Sequence, residues 1–257
     1  MMDPLYTISG FAVGVIVGLT GVGGGSLMTP LLVMLFGVHP ATAVGTDLLY
    51  AAFTKAGGTV AHARQGHVDW TITGRLAMGS IPAAAITIYI LSQLPKQTAM
   101  TQTISVALGV ALLLTATAII FGRKLREYAQ RHQDSGYRKH IGPITITVGA
   151  ILGVLVSISS VGAGALGVAA LYFLYPYLAP KQIVGSDVAH AVPLTFVAGM
   201  GHWWMGSVDW SLLGALLLGS LPGIWIGSKV SSKVPEHLLR RILASMLVLI
   251  GAKLIAA

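Results

Sequence analysis

Residues 21–26 read "GVGGGS" and separate two strongly apolar runs, "GFAVGVIVGLT" (10–20) and "LMTPLLVMLFG" (27–37). Four glycines in five positions oppose a continuous helix, because each glycine costs roughly 1 kcal/mol relative to alanine in a helix interior. The stretch therefore predicts two short helices that meet at a glycine-rich turn, in place of one long helix.

The composition of the whole chain indicates a membrane protein. Of its 257 residues, 54% are hydrophobic and 9% are charged, whereas a soluble domain carries about 25% charged residues. Several apolar segments reach the ~20 residues that a helix needs to cross a bilayer. The apolar segments are 5–20, 26–37, 41–61, 71–93, 98–121, 143–159, 164–178, 181–204, 211–228 and 238–256. We predict an all-α polytopic membrane protein, and the lack of cysteine excludes disulfides and thiolate metal sites.

The positive charges lie mostly on one side of these segments. Lysine and arginine mark the cytoplasmic side of a membrane protein, so the net charge of +8 indicates orientation and gives no reason to expect nucleic acid as a partner. We expect a cytoplasmic central loop and both termini outside. The basic residues on the cytoplasmic side are Arg64, Arg75, Arg123, Lys124, Arg126, Arg131, Arg138, Lys139, Lys181, Lys229, Lys233, Arg240 and Arg241, and those on the other are Lys96 and Lys253.

The chain contains two copies of one unit, offset by 140 residues. His62 corresponds to His202, and Pro95 corresponds to Pro235. With a slip of one residue, "GVGGGSL" aligns with "SVGAGAL" (160–166). The other matches are "VGTD" (44–47) with "VGSD" (184–187), "VDW" (68–70) with "VDW" (208–210), and "GSIP" (79–82) with "GSLP" (219–222). These coincidences predict an internal duplication.

Each copy holds five apolar segments, and an odd number of crossings places the second copy upside down in the membrane. The first two segments of each copy are short or broken and could form a re-entrant hairpin, which leaves three crossings and the same inversion. We therefore predict two inverted-topology repeats, 1–121 and 143–257, joined by a basic cytoplasmic linker, 122–142.

The two glycine-rich turns are candidate ligand sites. Inverted repeats with interrupted helices are typical of secondary transporters, whose substrate sites lie near the membrane midplane. Glycine allows a close approach of the backbone to a ligand, and helix N-termini attract anions. We expect the turns to bind an anionic substrate; the alternative is that the glycines only allow close helix packing. The candidate substrate-binding residues here are Gly23, Gly24, Gly25, Ser26, Gly162 and Gly164.

Lys55 lies well inside segment 41–61, where charge is costly and usually functional. We expect it to attract the anionic substrate or to pair with a buried carboxylate; extension of its side chain to the interface is the alternative. His190 follows Asp187 by three residues and shares a helix face with it. It is a further candidate contact for the substrate or for a proton.

Two pairs of equivalent polar residues leave coupling and structural roles open. Asp47 and Asp187 could carry protons, hold the broken hairpins, or balance buried positive charge. His62 and His202 could relay protons or form hydrogen bonds near the interface.

The repeated "VDW" is typical of a helix start. We predict that Asp69 and Asp209 are N-caps and that Trp70 and Trp210 are interfacial anchors. These roles are structural and do not place the four residues in the site.

The same motifs resemble a known family. The stretch "GLTGVGGGSLMTPLLVMLFGVHPATAVGTDLL" (18–49), followed by "GHVDW" and "GSIP", is similar to the sulfite exporter TauE/SafE family of membrane permeases, and "SISSVGAGALGVAAL" (157–171), "IVGSDVAHAVP" (183–193) and "GSVDW" (206–210) resemble its second half. The resemblance implies transport of sulfite or organosulfonates such as sulfoacetate, usually outward across the bacterial inner membrane.

We therefore predict a secondary transporter of small sulfur-containing anions that works by alternating access around a midplane site. A channel for a small anionic or neutral solute is the alternative. The sequence has no metalloprotease motif and no convincing nucleophile–base pair, so we expect neither an enzyme nor a cofactor. The expected partners are the anion and membrane lipid, and a homodimer is left open.

Overall fold

The computed structural model describes residues 4–20, 25–94, 99–131, 140–230 and 236–256. Nearly all of these residues are helical and none is in a strand, which confirms the prediction of an all-α chain. The helices are α1 (Pro4–Thr20), α2 (Gly25–Leu35), α3 (Pro40–Arg64), α4 (Trp70–Gln93), α5 (Ala99–Arg131), α6 (Ile141–Ser159), α7 (Ala165–Leu174), α8 (Pro180–Trp204), α9 (Trp210–Val230) and α10 (Glu236–Ala256).

The helix lengths fit a multi-pass membrane protein. Within the described ranges, five helices are long and apolar enough to cross a membrane, namely α4, α5, α6, α8 and α9. By contrast α1, α2 and α7 have 17, 11 and 10 residues, which is about 26, 17 and 15 Å at 1.5 Å per residue. These are shorter than the ~30 Å hydrocarbon layer. In the second half only α7 is short, because α6 begins at Ile141 and has 19 residues.

Two glycine-lined helix pairs connect the first half of the chain to the second: α1 packs against α9, and α4 packs against α6. A Cβ added at Gly14 would lie 2.7 Å from Ser220 Cα, and one added at Gly153 would lie 2.8 Å from Ser80 Cα. These distances leave no room for a side chain, so the backbones are in direct contact. The two contacts are equivalent in the repeat, and here glycine serves close helix packing.

Helices α3 and α8 pack against each other and are linked to the other half by two equivalent hydrogen bonds. Thr46 Oγ1 accepts from the Asp209 N–H at 3.1 Å, and Ser186 Oγ accepts from the Asp69 N–H at 2.9 Å. Each bond joins the repeated "VGTD" or "VGSD" motif of one half to the N-cap aspartate in the other half. The inverted orientation of the halves relative to the membrane stays a prediction.

The predicted N-caps are confirmed. In both Asp69 and Asp209, one carboxylate oxygen accepts from the backbone N–H groups two and three residues further on, at 2.9–3.1 Å. The N–H of Leu212 contributes most to holding the pKa of Asp209 below its usual value. Trp70 and Trp210 are more than half exposed, as membrane anchors are expected to be.

The helix α5 is longer than its apolar segment. It continues past residue 121 to Arg131, into the proposed linker 122–142. Arg126 and Gln130 in this extension donate hydrogen bonds to the backbone oxygens of Leu178 and Pro176, at 3.2 and 3.1 Å. The first part of the linker is therefore helical and is tied to the segment between α7 and α8.

Candidate functional site: a buried polar cluster between α3 and α8

Asp47 is fully buried in α3 and joins two other elements. Its Oδ2 accepts a hydrogen bond from Thr29 Oγ1 in α2 at 2.5 Å and another from Ser160 Oγ, just after α6, at 3.0 Å. Because hydrogen bonds to an ionised carboxylate are stronger than neutral ones, Asp47 stabilises the approach of α2 to the turn between α6 and α7. Of the roles considered for Asp47, this geometry favours holding the hairpins.

The turn between α6 and α7 runs through residues 160–164 and requires glycine twice. Gly162 and Gly164 have φ values of +116° and +145°, where a side chain would be strained. Helix α7 then begins at Ala165, with no side-chain cap at Gly164. This start agrees with the sequence, in which an apolar segment begins at residue 164.

Lys55 brings a positive charge to this turn. Its side chain is 7% exposed, and Nζ donates a hydrogen bond to the backbone oxygen of Ala163. The ammonium is within electrostatic range of Asp187 and Asp47, but it makes no hydrogen bond to Asp187. The side chain thus points into the protein, which excludes the interpretation that it extends to the membrane surface.

Asp187 is the equivalent of Asp47 in α8, and its surroundings are different. Its side chain is fully buried, and neither carboxylate oxygen has a hydrogen-bond partner among the described residues. The backbone of Gly167 in α7 lies so close that an added Cβ would collide with Asp187 Oδ1. Lys55 acts on Asp187 only through space. Asp187 is therefore a buried carboxylate that no hydrogen bond holds in place.

His190 extends the cluster toward α4. Its Nε2 lies 2.8 Å from Ser80 Oγ, and its ring is within electrostatic range of Lys55. The other ring nitrogen, Nδ1, is buried without a partner. A ring held by one nitrogen, with the second free toward the interior, can exchange a hydrogen bond or a proton with a visiting group.

His62 and His202 lie instead where α3 and α8 pack together. The Cβ of His202 is 2.8 Å from a Cβ built at Gly45, and the Cβ of His62 is 3.3 Å from one built at Gly185. His202 Nε2 lies 2.9 Å from the Ser157 backbone oxygen. These contacts favour a packing role for both histidines.

The structure places part of the predicted site in one cluster. The members that it brings together are Lys55, Asp47, Asp187, His190 and the turn with Gly162 and Gly164. Gly23 and Gly24 lie outside the described residues, as does the side chain of Ser26, whereas Gly25 begins α2. The first glycine-rich turn thus stays a prediction, although Thr29 brings the start of α2 to the same carboxylate as Ser160.

Three polar contacts of the cluster were missed by the sequence analysis. Ser80 belongs to "GSIP" and is repeated as Ser220 in "GSLP", so the repeat contained a signal for its importance. Nothing in the local sequence distinguishes Ser160 from the neighbouring Ser159, and the carbonyl of Ala163 carries no sequence signal at all.

A cavity of about 420 Å³ lies where α3 begins and where α4 and α8 end. It is lined by His39, Ala41, Thr42, Leu91, Ser92, Gln93, Trp204, Met205, Gly206 and Ser207. Thr42 in this lining precedes Asp47 by five residues, about 7.5 Å along the helix at 1.5 Å per residue. The cavity therefore lies at the end of α3 that the charge distribution predicts to be outside.

Comparison with known proteins identifies the family. The profile of the family described as "Sulfite exporter TauE/SafE" matches residues 6–254. The chain belongs to this family. The TauE/SafE resemblance in the glycine-rich and "VGTD" motifs is therefore confirmed.

The relatives of this TauE/SafE member are named as probable transporters. YjnA of Bacillus subtilis, a probable membrane transporter protein, is 41% identical over 259 residues, which cover 99% of this chain and 100% of YjnA. YdhB of the same organism is 28% identical over 90% of this chain and 91% of its own length. MJ0441 of Methanocaldococcus jannaschii is 24% identical over 98% and 94%. No solved structure matches the chain.

Proposed function

We propose that this protein is a secondary transporter of small sulfur-containing anions, sulfite or organosulfonates such as sulfoacetate, in the bacterial inner membrane. It carries them by alternating access around the cluster of Lys55, Asp47, Asp187 and His190, and outward when the anion is more concentrated inside. The family description and the names of the relatives support transport. The choice of a sulfur anion rests on the family description and on the chemistry of the site.

The burial of the Lys55 side chain inside the protein is the observation that carries this proposal. A charged side chain buried inside a membrane protein is costly and usually functional. Lys55 is held at the turn before α7 through Ala163, next to a helix N-terminus that favours negative charge. A sulfonate is ionised throughout the physiological pH range and offers three acceptor oxygens, which suits an ammonium and backbone N–H donors together.

The proposed topology follows from the repeat and from the basic residues. The halves are inverted relative to each other, the extension of α5 and the linker are cytoplasmic, and the termini are outside. In this orientation the cavity beside Thr42 opens outward and offers the anion a route along α3. Its polar lining includes the neutral side chains of Gln93 and Ser92.

Replacement of Lys55 tests the site. In proteoliposomes, Lys55→Met should reduce uptake of labelled sulfite or isethionate at least about tenfold, because a hydrogen bond to a charged group is worth roughly 1.5–3 kcal/mol. Lys55→Arg should retain part of the uptake. The matched control is Thr195→Val at the equivalent position of α8, where the hydroxyl bonds only within its own helix, to Ala191 O at 2.8 Å. Wild-type uptake by folded Lys55→Met would remove Lys55 from the site.

A second measurement separates a carrier from a channel. Vesicles preloaded with unlabelled anion should accelerate the entry of labelled anion, because a carrier returns loaded from the opposite side. Rapid conductance without such counterflow would identify a channel instead.

A panel of anions identifies the substrate class. Sulfite, sulfate, taurine, sulfoacetate and isethionate are compared with matched carboxylates by the thermal shift of purified protein. A ligand at 100 times its Kd stabilises the folded state by about 2.7 kcal/mol. Stabilisation by the carboxylates alone would contradict a sulfur anion as substrate.

A further inference from the structure

We infer that proton binding at Asp187 is coupled to anion binding beside Lys55, so that each monoanion crosses the membrane together with one proton. This inference rests on the proposed function and specifies how transport is driven. Three observations carry it: the lack of hydrogen bonds at Asp187, the charge balance of the cluster, and the different surroundings of Asp47.

The first observation is the isolation of Asp187. The side chain is fully buried, and in the part of the chain that the structure describes both oxygens lack a hydrogen-bond partner. Removal of a carboxylate from water costs several kcal/mol unless another charge and hydrogen bonds compensate. Among the described residues, Lys55 is the charged group that acts on Asp187, and it does so without a hydrogen bond. The carboxylate therefore depends on Lys55 to stay ionised.

The second observation is the charge balance. With Lys55, Asp47 and Asp187 all ionised, the buried cluster carries one net negative charge, and the entry of a monoanion would double it. One proton on Asp187 leaves the empty cluster neutral. An anion can then pair with Lys55 without a competing carboxylate, so anion and ionised Asp187 compete for the same ammonium.

The third observation identifies which aspartate takes the proton. Thr29 and Ser160 both donate hydroxyl hydrogens to Asp47 Oδ2, and two such donors stabilise the ionised form of Asp47. Asp187 has no such donors. Proton uptake is therefore favoured at Asp187 over Asp47, which keeps its two hydroxyl contacts.

The other groups around Asp187 do not replace it as the proton carrier. From α3 it faces Lys55, with Asp47 in the same cluster and His62 near the crossing with Gly185. From α4, Ser80 forms a hydrogen bond with His190 of α8, whereas the guanidinium of Arg75 lies 3.6 Å from a Cβ built at Gly142.

The remaining neighbours of α8 contribute no competing charge. Helix α6 contains no ionisable residue, and the one in α7, Tyr172, faces Arg126 at 5.2 Å. His190 sits beside Lys55, so a second positive charge on its ring is disfavoured. Asp187 is thus the group of this cluster whose protonation an arriving anion would favour.

Coupling of this kind makes transport of a monoanion electroneutral. Its direction then follows the sum of the anion and pH gradients and not the membrane potential. An acidic exterior drives the anion inward, and a high internal anion concentration drives it outward.

The test uses isethionate, a sulfonate whose charge stays constant between pH 5.5 and 8.5. For the purified wild-type protein, the Kd for isethionate should rise with pH, approaching about tenfold per pH unit where one proton is linked to binding. In Asp187→Asn, a neutral mimic of the protonated side chain, the Kd should stay at the low-pH value across the range. Asp209→Asn, which alters a carboxylate outside the cluster, should keep the wild-type dependence.

Proton movement is measured in the same protein without any substitution. In vesicles that enclose a pH-sensitive dye, entry of isethionate should acidify the lumen with wild-type protein, with one proton per anion. This readout holds even if Asp187→Asn fails to fold. A pH-independent Kd in the wild type, an unchanged dependence in folded Asp187→Asn, or uptake without acidification would each overturn the coupling while the anion transporter stands. Failure of all the sulfur anions to bind folded wild-type protein would overturn both.

Discussion

Helices α3 and α8 carry the same motif, "VGTD" and "VGSD", and their packing contacts are equivalent. A Cβ at Gly45 would collide with the backbone oxygen of Ser207, and one at Gly185 with that of His67. The next residue of each motif accepts a hydrogen bond from the N–H of an N-cap aspartate in the other half. The duplicated residues thus build the same scaffold twice.

The polar contacts of the two helices differ. Asp47 accepts two hydroxyl hydrogen bonds, whereas Asp187 accepts none. The position of Lys55 in α3 is occupied in α8 by Thr195, whose hydroxyl bonds within its own helix. The difference shows that a symmetric scaffold carries an asymmetric cluster. Asp47 is held by hydrogen bonds, whereas Asp187 has none among the described residues.

The largest effects should come from the shared glycines. Gly45→Ala and Gly185→Ala each place a Cβ against a backbone oxygen that cannot move away, so both should lose more than about 3 kcal/mol of stability, above the usual range for overpacking. The measurement is the folded, monodisperse fraction in detergent and its Tm. Gly57→Ala on α3, with open space around the new Cβ, is the control. If only one of the pair is damaged, the two crossings are not equivalent.

Replacement of Asp47 and of Asp187 should change the stability by clearly different amounts. Asp47→Asn weakens the hydrogen bonds from Thr29 and Ser160 and should lose about 1.5–3 kcal/mol, whereas Asp187→Asn breaks no hydrogen bond and should stay within about 1 kcal/mol of wild type. Thermal unfolding of both variants at pH 7 gives the comparison. Equal losses of stability would show that the hydroxyl contacts of Asp47 do not stabilise the folded protein.

The hydroxyls that link the halves should have similar, smaller effects. Thr46→Val and Ser186→Ala each remove the acceptor of one N–H, from Asp209 and Asp69, and should cost about 1 kcal/mol each. The same unfolding measurement applies. The control is Thr54→Val, which removes a hydroxyl bonded only within α3. If Thr54→Val loses as much stability as Thr46→Val, the hydrogen bond between the halves is not the source of the loss.

The smallest effect should be the acid response of one cap. The folded-state pKa of Asp209 lies below the usual value of 3.8, chiefly because the Leu212 N–H binds the carboxylate. Its stabilisation is complete above pH 3.8 and is lost as the pH falls through the folded-state pKa. In Asp209→Asn this loss of stability at low pH should disappear. The effect on the free energy of unfolding should be no more than about 0.5 kcal/mol, because solvent screens the exposed group. The slope of Tm below about pH 4 measures it, and an unchanged slope in Asp209→Asn would contradict the cap contribution.

Features encoded by neighbouring residues could be predicted from the sequence. The apolar runs predicted most helices to within a few residues, and "VDW" predicted both N-caps. The extension of α5 to Arg131 was missed because hydrophobicity alone was used to end the segment. Residues 123–131 are rich in Arg, Lys, Leu, Glu, Ala and Gln, which are good helix formers, although they are not apolar.

The composition of the polar cluster could be predicted, but its pairing could not. Lys55 and both aspartates were recognised because charge is rare in apolar segments. Their partners lie far away in sequence: Ser160 is 113 residues from Asp47, and Ala163 is 108 residues from Lys55. No local pattern encodes which of two equivalent aspartates receives hydroxyl donors, because that depends on how the short helices enter the protein.

The glycine-lined seams of α1 with α9 and of α4 with α6 limit how such a molecule can be divided. Each seam couples a helix of the first half of the chain to a helix of the second half, so a single copy of the duplicated unit should not fold or move as a separate body. A rearrangement that preserves the seams must shift mixed bundles, each drawn from both copies. A chain severed between residues 131 and 140 should accordingly give fragments that assemble only when both are made together.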